Sequence, residues 1–237
     1  MVKVSGGQIL ISGGSGFIGS AVAKILVKNG HKVRLLDIHL KGGRSNKNTE
    51  NIQGSVLDKY TVSEAVKGCD AVVHLAAMLG VKKTDTLRLQ CLNINIEGSV
   101  NVFDACLKER VKRIVFSSSS EVYGESASDY ISEDTSIQPK SVYAVSKIAA
   151  EEYLKAYAKN YGLEYSIVRF FNVYGPNEYH KGFMKSVVSE KYHLARSDEP
   201  VTLFKSNNLD YSDGGQLRDF VYVRDCVEVM LWLFEST

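Results

Sequence analysis

The chain has 237 residues, 44% hydrophobic and 24% charged, with 29 Lys and Arg against 27 Asp and Glu and a formal net charge of +2. That composition suits one substantial α/β domain with a small appendage. No basic run offers a nucleic-acid footprint, no stretch reaches the roughly 18–20 apolar residues of a membrane span, and the histidines and cysteines show no metal-ligand spacing.

Short β-branched runs alternate with helical patterns over the first two-thirds of the chain. Gln8–Ser12, Lys32–Asp37, Ala71–Leu75, Arg113–Ser117 and Tyr165–Arg169 read as strands, continuous in apolar character as if covered on both faces. Gly16–Lys28, Thr61–Lys67, Asn95–Lys108 and Val142–Asn160 read as helices between them. The alternation predicts a doubly wound parallel (Rossmann) sheet, with ligand loops at the strand C-termini. After Asn172 the composition changes, with a helix expected near Phe183–Leu194, a strand near Val201–Lys205, a polar loop over Asn207–Gly215 and a final helix over Asp225–Phe234. A cofactor domain over 1–170 and a partial substrate region over 171–237, its last helix returning to the first domain, are the expected organisation. The apolar Met230-Leu-Trp-Leu-Phe just before Thr237 suggests an incomplete C-terminal lobe.

Cys69, Cys91, Cys106 and Cys226 lie far apart with no C-x-x-C pair, so a reduced, cytoplasmic setting is expected. Gly13, Gly14 and Gly16 interrupt the first apolar run, which therefore does not read as a secretory leader.

Gly13-Gly-Ser-Gly16-Phe17-Ile18-Gly19 follows the first strand and opens a helix, the context in which glycines admit a pyrophosphate to a helix N-terminus. Such a turn also occurs for purely structural reasons. Asp37 closes the second strand about 20 residues on, where a carboxylate accepts from a ribose 2′-OH and repels a 2′-phosphate. NAD is therefore expected over NADP, with Arg34 and Lys41 close enough to soften the preference. Tyr143 and Lys147 stand at i and i+4 on one helical face, where an ammonium favours the phenolate and is expected to lower its pKa. Lys147 is also placed to hold the nicotinamide ribose. The pair alone also occurs on solvated helices. Ser117-Ser118-Ser119-Ser120-Glu121-Val-Tyr-Gly124 follows the fifth strand, where a hydroxyl reaches an oxygen whose charge changes in the reaction.

In this order, these residues resemble the extended short-chain dehydrogenases of the NAD-dependent nucleotide-sugar epimerase/dehydratase family. The resemblance also covers His74-Leu-Ala-Ala77, Asn95, Arg169-Phe-Phe-Asn-Val-Tyr-Gly-Pro176 and Arg218-Asp-Phe-Val-Tyr-Val223. It implies NAD contacts from Gly13, Gly16, Phe17, Ile18, Gly19, Asp37, Ser55, Val56, Leu75, Ala76, Ala77, Asn95, Tyr143 and Lys147. Ser119 matches the catalytic Ser/Thr. Ser120, Asn172 and Arg218 are expected on the nucleotide sugar, Arg218 at its diphosphate. Gly54-Ser55 departs from the family's usual Gly-Asp on the third strand. Sugar dehydratases carry Asp-Glu where this chain has Ser120-Glu121, which disfavours dehydration. Ser-Glu there resembles the UDP-glucuronate decarboxylases. Asn177-Glu-Tyr-His-Lys181-Gly-Phe-Met184 is similar to the ADP-glycero-manno-heptose 6-epimerases, in which the lysine works opposite the tyrosine. An epimerase acting through a keto-sugar is the favoured reading, with Glu121 and Lys181 as further catalytic candidates, a decarboxylase as the alternative and an NAD-binding regulatory or scaffold protein as the non-enzymatic one. The resemblance also implies a homodimer through the helices around Asn95–Lys108 and Val142–Asn160.

Overall fold

The computed structural model describes residues 6–40, 47–125, 130–206 and 209–235. The chain divides into two compact units, one formed by the residues up to Phe170 together with those from Val227 on, the other by Phe171–Cys226.

In the first unit, β1 (Gln8–Ser12), β2 (Lys32–Asp37), β3 (Thr49–Gln53), β4 (Ala71–His74), β5 (Arg113–Ser119) and β6 (Tyr165–Phe170) form one parallel sheet in the order β3-β2-β1-β4-β5-β6. The order reverses between β1 and β4, opening a crevice at the strand C-termini. Helices α1 (Phe17–Lys28), α2 (Lys59–Val66), α3 (Val81–Thr86), α4 (Arg88–Leu92), α5 (Gly98–Lys108) and α6 (Val142–Tyr161) make the crossovers. A π-helical turn, Asn93–Glu97, joins α4 to α5. Leu10, Leu36, Val72, Ile114 and Phe116 share one buried cluster with α2, α5 and α6 residues such as Val62, Phe103 and Leu154. Their strand neighbours Ile9, Ile11, Val73 and Val115 leave by the opposite face and are also buried. Burial on both faces is why these strands lack polar alternation.

β3, implied by the family resemblance at Gly54-Ser55 but marked by no apolar run, is polar (TENIQ) and sits at the sheet edge. α6 starts where Ser141 Oγ accepts from the Ala144 amide at 3.1 Å, and stops at Gly162 in the left-handed region (φ 74°). That start sets Tyr143 in the first turn and Lys147 one turn later.

The second unit holds a short parallel pair, β7 (Asn172–Tyr174) with β8 (Phe220–Tyr222), and α7 (Val187–Arg196), which begins four residues later than expected because Ser186 caps it. The strand expected near Val201–Lys205 does not form: the segment is irregular and exposed, with no partner strand among the described residues to complete its backbone hydrogen bonds. α8 (Val223–Glu235) begins in this unit and ends in the first, where Met230 and Phe234 are fully buried and the Leu233 carbonyl accepts from Arg113.

Candidate active site

The glycine turn lies at the C-terminal end of β1, beside the β1/β4 reversal. Gly13 has φ 72°, and a Cβ there would meet the Ala76 amide at 2.9 Å. A Cβ on Gly19 would lie 2.3 Å from the Gly13 carbonyl oxygen. The turn is therefore built without side chains and leads into the open N-terminus of α1, where Gly16 offers no capping side chain. An anion fits there. Ala in place of Gly19 should force the turn apart and weaken NAD binding by at least about tenfold; titration calorimetry showing parental affinity would contradict this.

Asp37 ends β2 and accepts from the amides of Ser15 and His39, each at 3.0 Å, so its carboxylate sits between the glycine turn and the following loop. Arg34 is engaged elsewhere: Nε donates to Glu50 at 2.7 Å and Nη1 to the carbonyls of Ala65 and Lys67 at 2.8 Å each. Its guanidinium is thus held at the C-terminal end of α2. Lys41 lies outside the described residues.

Leu75, Ala76 and Ala77 follow β4, with the Leu75 amide bonded to the Ser12 carbonyl at 3.0 Å. Ser55 Oγ accepts from the Leu57 amide at 3.1 Å, while the buried Val56 gives its carbonyl to Asn101. Asn95, expected at the cofactor, is anchored by three hydrogen bonds inside the protein. Its oxygen accepts from Met78 N at 2.7 Å, and Nδ2 donates to Met78 O at 3.1 Å and Ser146 Oγ at 2.9 Å. These bonds fix the amide beside the site, and its oxygen keeps a second lone pair. Ser146 Oγ in turn donates to the Tyr143 carbonyl at 2.7 Å. The sequence reading also missed His74 as a site residue: it bonds Ser12 at 2.5 Å and Ser99 at 3.0 Å, and burial pushes its pKa down to about 3, so it is a neutral strut between β1 and α5.

At the end of β5, Ser119, Tyr143 and Lys147 converge. Ser119 lies against the Tyr143 phenol, and Lys147 Nζ lies 5.9 Å from the Tyr143 ring centre and donates to the Ser117 carbonyl at 2.8 Å. All three are nearly buried. The expected fall in the phenol pKa is corrected by this burial. Desolvation pushes Tyr143 up to about 12 against the opposing bond from Ser119, with the charge of Glu121 adding to the rise. Lys147 is pushed down to about 8, again by burial, with Cys91 and Glu151 resisting. Ser120 and Glu121 open a 3₁₀ turn after Ser119, and Glu121 is exposed.

In the second unit Asn172, Lys181 and Arg218 line one cavity of about 370 Å³ together with Phe204 and Phe220. Asn172 is exposed and donates to the Asp219 carbonyl at 2.9 Å. Lys181 pairs with Glu178 at 3.1 Å. Glu178, fully buried, also accepts from the amides of Gly175 and Ser186 at 2.9 and 2.8 Å. Burial opposes its charge, but those donors hold its pKa below the ordinary carboxylate value.

The sheet order and the glycine turn at its reversal define a dinucleotide-binding α/β protein. The family model for the NAD dependent epimerase/dehydratase family matches residues 9–237. The chain belongs to that family, and is an NAD-dependent sugar-nucleotide enzyme. It is 36% identical over 236 residues to a UDP-N-acetyl-alpha-D-glucosaminuronate decarboxylase of Bacillus cytotoxicus, covering 94% of this chain and 70% of the relative. It is 34% identical over 237 residues to an ADP-L-glycero-D-manno-heptose-6-epimerase of Nitratidesulfovibrio vulgaris, covering 96% and 72%. Among solved structures, the UDP-glucose 4-epimerase of Thermus thermophilus in complex with NAD superposes with a TM-score of 0.84 at 32% identity, covering 97% of this chain and 75% of that one. No helix among the described residues is long and apolar enough to cross a membrane, and those residues hold no cluster of three or more metal-binding side chains.

Proposed function

We propose that the chain is a nucleotide-sugar epimerase working through a transient keto-sugar, with Ser119, Tyr143 and Lys147 as its catalytic group. The observation that carries this reading is the convergence of the Tyr143 phenol on Ser119 at the tip of β5, with the Lys147 ammonium 5.9 Å from the phenol ring centre. Tyr143 removes the proton from a sugar hydroxyl, and Ser119 holds the same oxygen as its charge changes. Lys147 opposes the burial that keeps the phenol protonated. When bound, NAD supplies a reversible hydride acceptor and a fixed positive charge, and Gly13, Gly16, Gly19 and Asp37 are the residues that would hold it. Inversion requires the ketone to present its other face before Tyr143 returns the proton to oxygen. Asn172 and Arg218 bind the nucleotide sugar, the guanidinium fork suiting a diphosphate, and Lys181 is the second acid-base group. Their shared cavity supports these roles.

Incubating the NAD-loaded protein with UDP-glucose, UDP-N-acetylglucosamine and an ADP-heptose should give a C-epimer of at least one, resolved by proton NMR. A panel in which nothing is epimerised rejects the proposal. Glu121 beside Ser119 and the decarboxylase relative favour a second reading, loss of CO2 from a UDP-hexuronate, which a CO2-release assay separates from the first. A scaffold role would leave bound NAD unreduced on mixing with every sugar tested.

A homodimer accounts for the exposed Leu89 and Leu92 on α4 and Val145 and Tyr153 on α6; sedimentation giving the monomer mass would reject it. Four free, buried cysteines accord with a cytoplasmic home, which imaging of a tagged chain would test.

A further inference from the structure

We propose that Glu151 is a positioning residue that fixes the tip of β5 relative to α6 and so aims Ser119 at the substrate oxygen. Ser118 and Arg169 are partners in the β5–β6 register, so their side chains leave the sheet on one face. Both end on the same carboxylate. Ser118 Oγ donates to Glu151 Oε1, Arg169 Nε donates to Oε1 at 3.0 Å, and Arg169 Nη2 donates to Oε2 at 2.7 Å. The remaining guanidinium edge reaches the Tyr123 hydroxyl at 2.9 Å, in the turn that follows Ser119. The carboxylate thus grips the strand immediately before Ser119 and, through Arg169, the turn immediately after it.

Glu151 is completely buried and stands one helical turn beyond Lys147. A buried ion pair is weak evidence for stability, because an apolar pair of the same volume packs as well without the desolvation cost. What an apolar pair lacks is direction: it holds Ser118 by contact, not by a hydrogen bond at a fixed angle. The groups that face Lys147 are the neutral His74 from β4, the Ser117 carbonyl from β5, Cys91 from α4, and Tyr143 and Glu151 from its own helix. Glu151 is the carboxylate in this set, and its charge favours the ammonium.

The assignment rests on the keto-sugar reading for its turnover assay, and on nothing beyond the geometry for its second readout. Three variants test it: Glu151→Gln, Ser118→Ala, and the paired Glu151→Leu/Arg169→Met, which replaces both ions and avoids a stranded guanidinium. In the substrate turned over by the parent, kcat is expected to fall by at least about tenfold in each, with KM and NAD affinity within about threefold of the parent. In Glu151→Gln the Lys147 titration, followed by NMR of ε-13C-labelled lysine and assigned by its loss in Lys147→Met, should move to lower pH. Ser118→Ala leaves the ion pair intact and should not move it.

A purely structural role makes a different forecast: the paired variant, once folded with parental Tm, would recover parental kcat. That recovery, or parental kcat in Ser118→Ala, would overturn the proposal. If the parent turns over no sugar, the keto-sugar reading fails, while the Lys147 titration still decides whether Glu151 acts on the catalytic group; an unmoved titration in Glu151→Gln overturns that part too.

Discussion

Phenylalanine at position 143 is expected to lower turnover by about 10³-fold while leaving NAD affinity within a few-fold of the parent. General acid-base groups contribute about 10²–10⁴ in rate, and Tyr143 is the phenol that lies against Ser119 and Lys147. The ring itself, nearly buried against the Lys147 stem, keeps its packing when only the oxygen is removed. Thermal stability should therefore change little. Stopped-flow absorbance of bound NAD on mixing with sugar gives the direct measurement. Retention of a tenth or more of the parental reduction rate would exclude Tyr143 as the proton acceptor.

Lys147→Met should separate activity from stability. The lysine is 3% exposed, and burial pushes its pKa down to about 8 from an unfolded value near 10.5. Between those two values the unfolded chain carries a proton that the native chain has released, so stability rises with pH across that window. Below about pH 8 both forms are charged and the native state bears the full desolvation cost. Methionine of similar length removes that cost, so the variant should melt at or above the parent at pH 7, and its advantage should shrink as pH climbs from 8 towards 10.5. Turnover should meanwhile drop by about 10²-fold or more, because the ammonium that favours the phenolate is then gone. Melting curves at pH 7, 8, 9 and 10 check the sign; a parent that gains on the variant as pH falls below 8 would refute the account.

What could be read directly from the residues was whatever is local in sequence. The glycine turn, the carboxylate of Asp37 at a strand end, and the i, i+4 spacing of Tyr143 and Lys147 each sit within one element, and burial of the parallel strands on both faces made five of the six visible as apolar runs. β3 escaped because an edge strand with the residues TENIQ carries no such run. β7 and β8 escaped because three residues apiece, 48 positions apart in the pairing, declare themselves only by pairing with each other. The apparent strand at Val201–Lys205 shows the converse, β-prone residues that find no ladder. The phenol pKa was misjudged for a related reason: the charge at i+4 is legible, the depth at which both groups lie is not. Glu151 and His74 depend on partners 18 to 33 and 25 to 62 residues away, fixed by strand register and helix packing.

The π-helical turn at Asn93–Glu97 gives the long segment from α4 into α5 two independent phases. An α-helix advances about 100° per residue, so one residue more or fewer rotates everything downstream by that angle. Upstream of the widened turn, Cys91 lies in the shell beneath Tyr143; downstream, Val102, Phe103 and Cys106 are wholly buried against the sheet. An uninterrupted α-helix of the same length would turn one of these faces away, because the wider turn takes up one residue without the rotation that residue would otherwise add. Deleting a single residue there should convert the turn to plain α-helix with both halves still in phase, whereas inserting one should turn one half out of its packing. This stretch should therefore tolerate the loss of one residue far better than the gain of one.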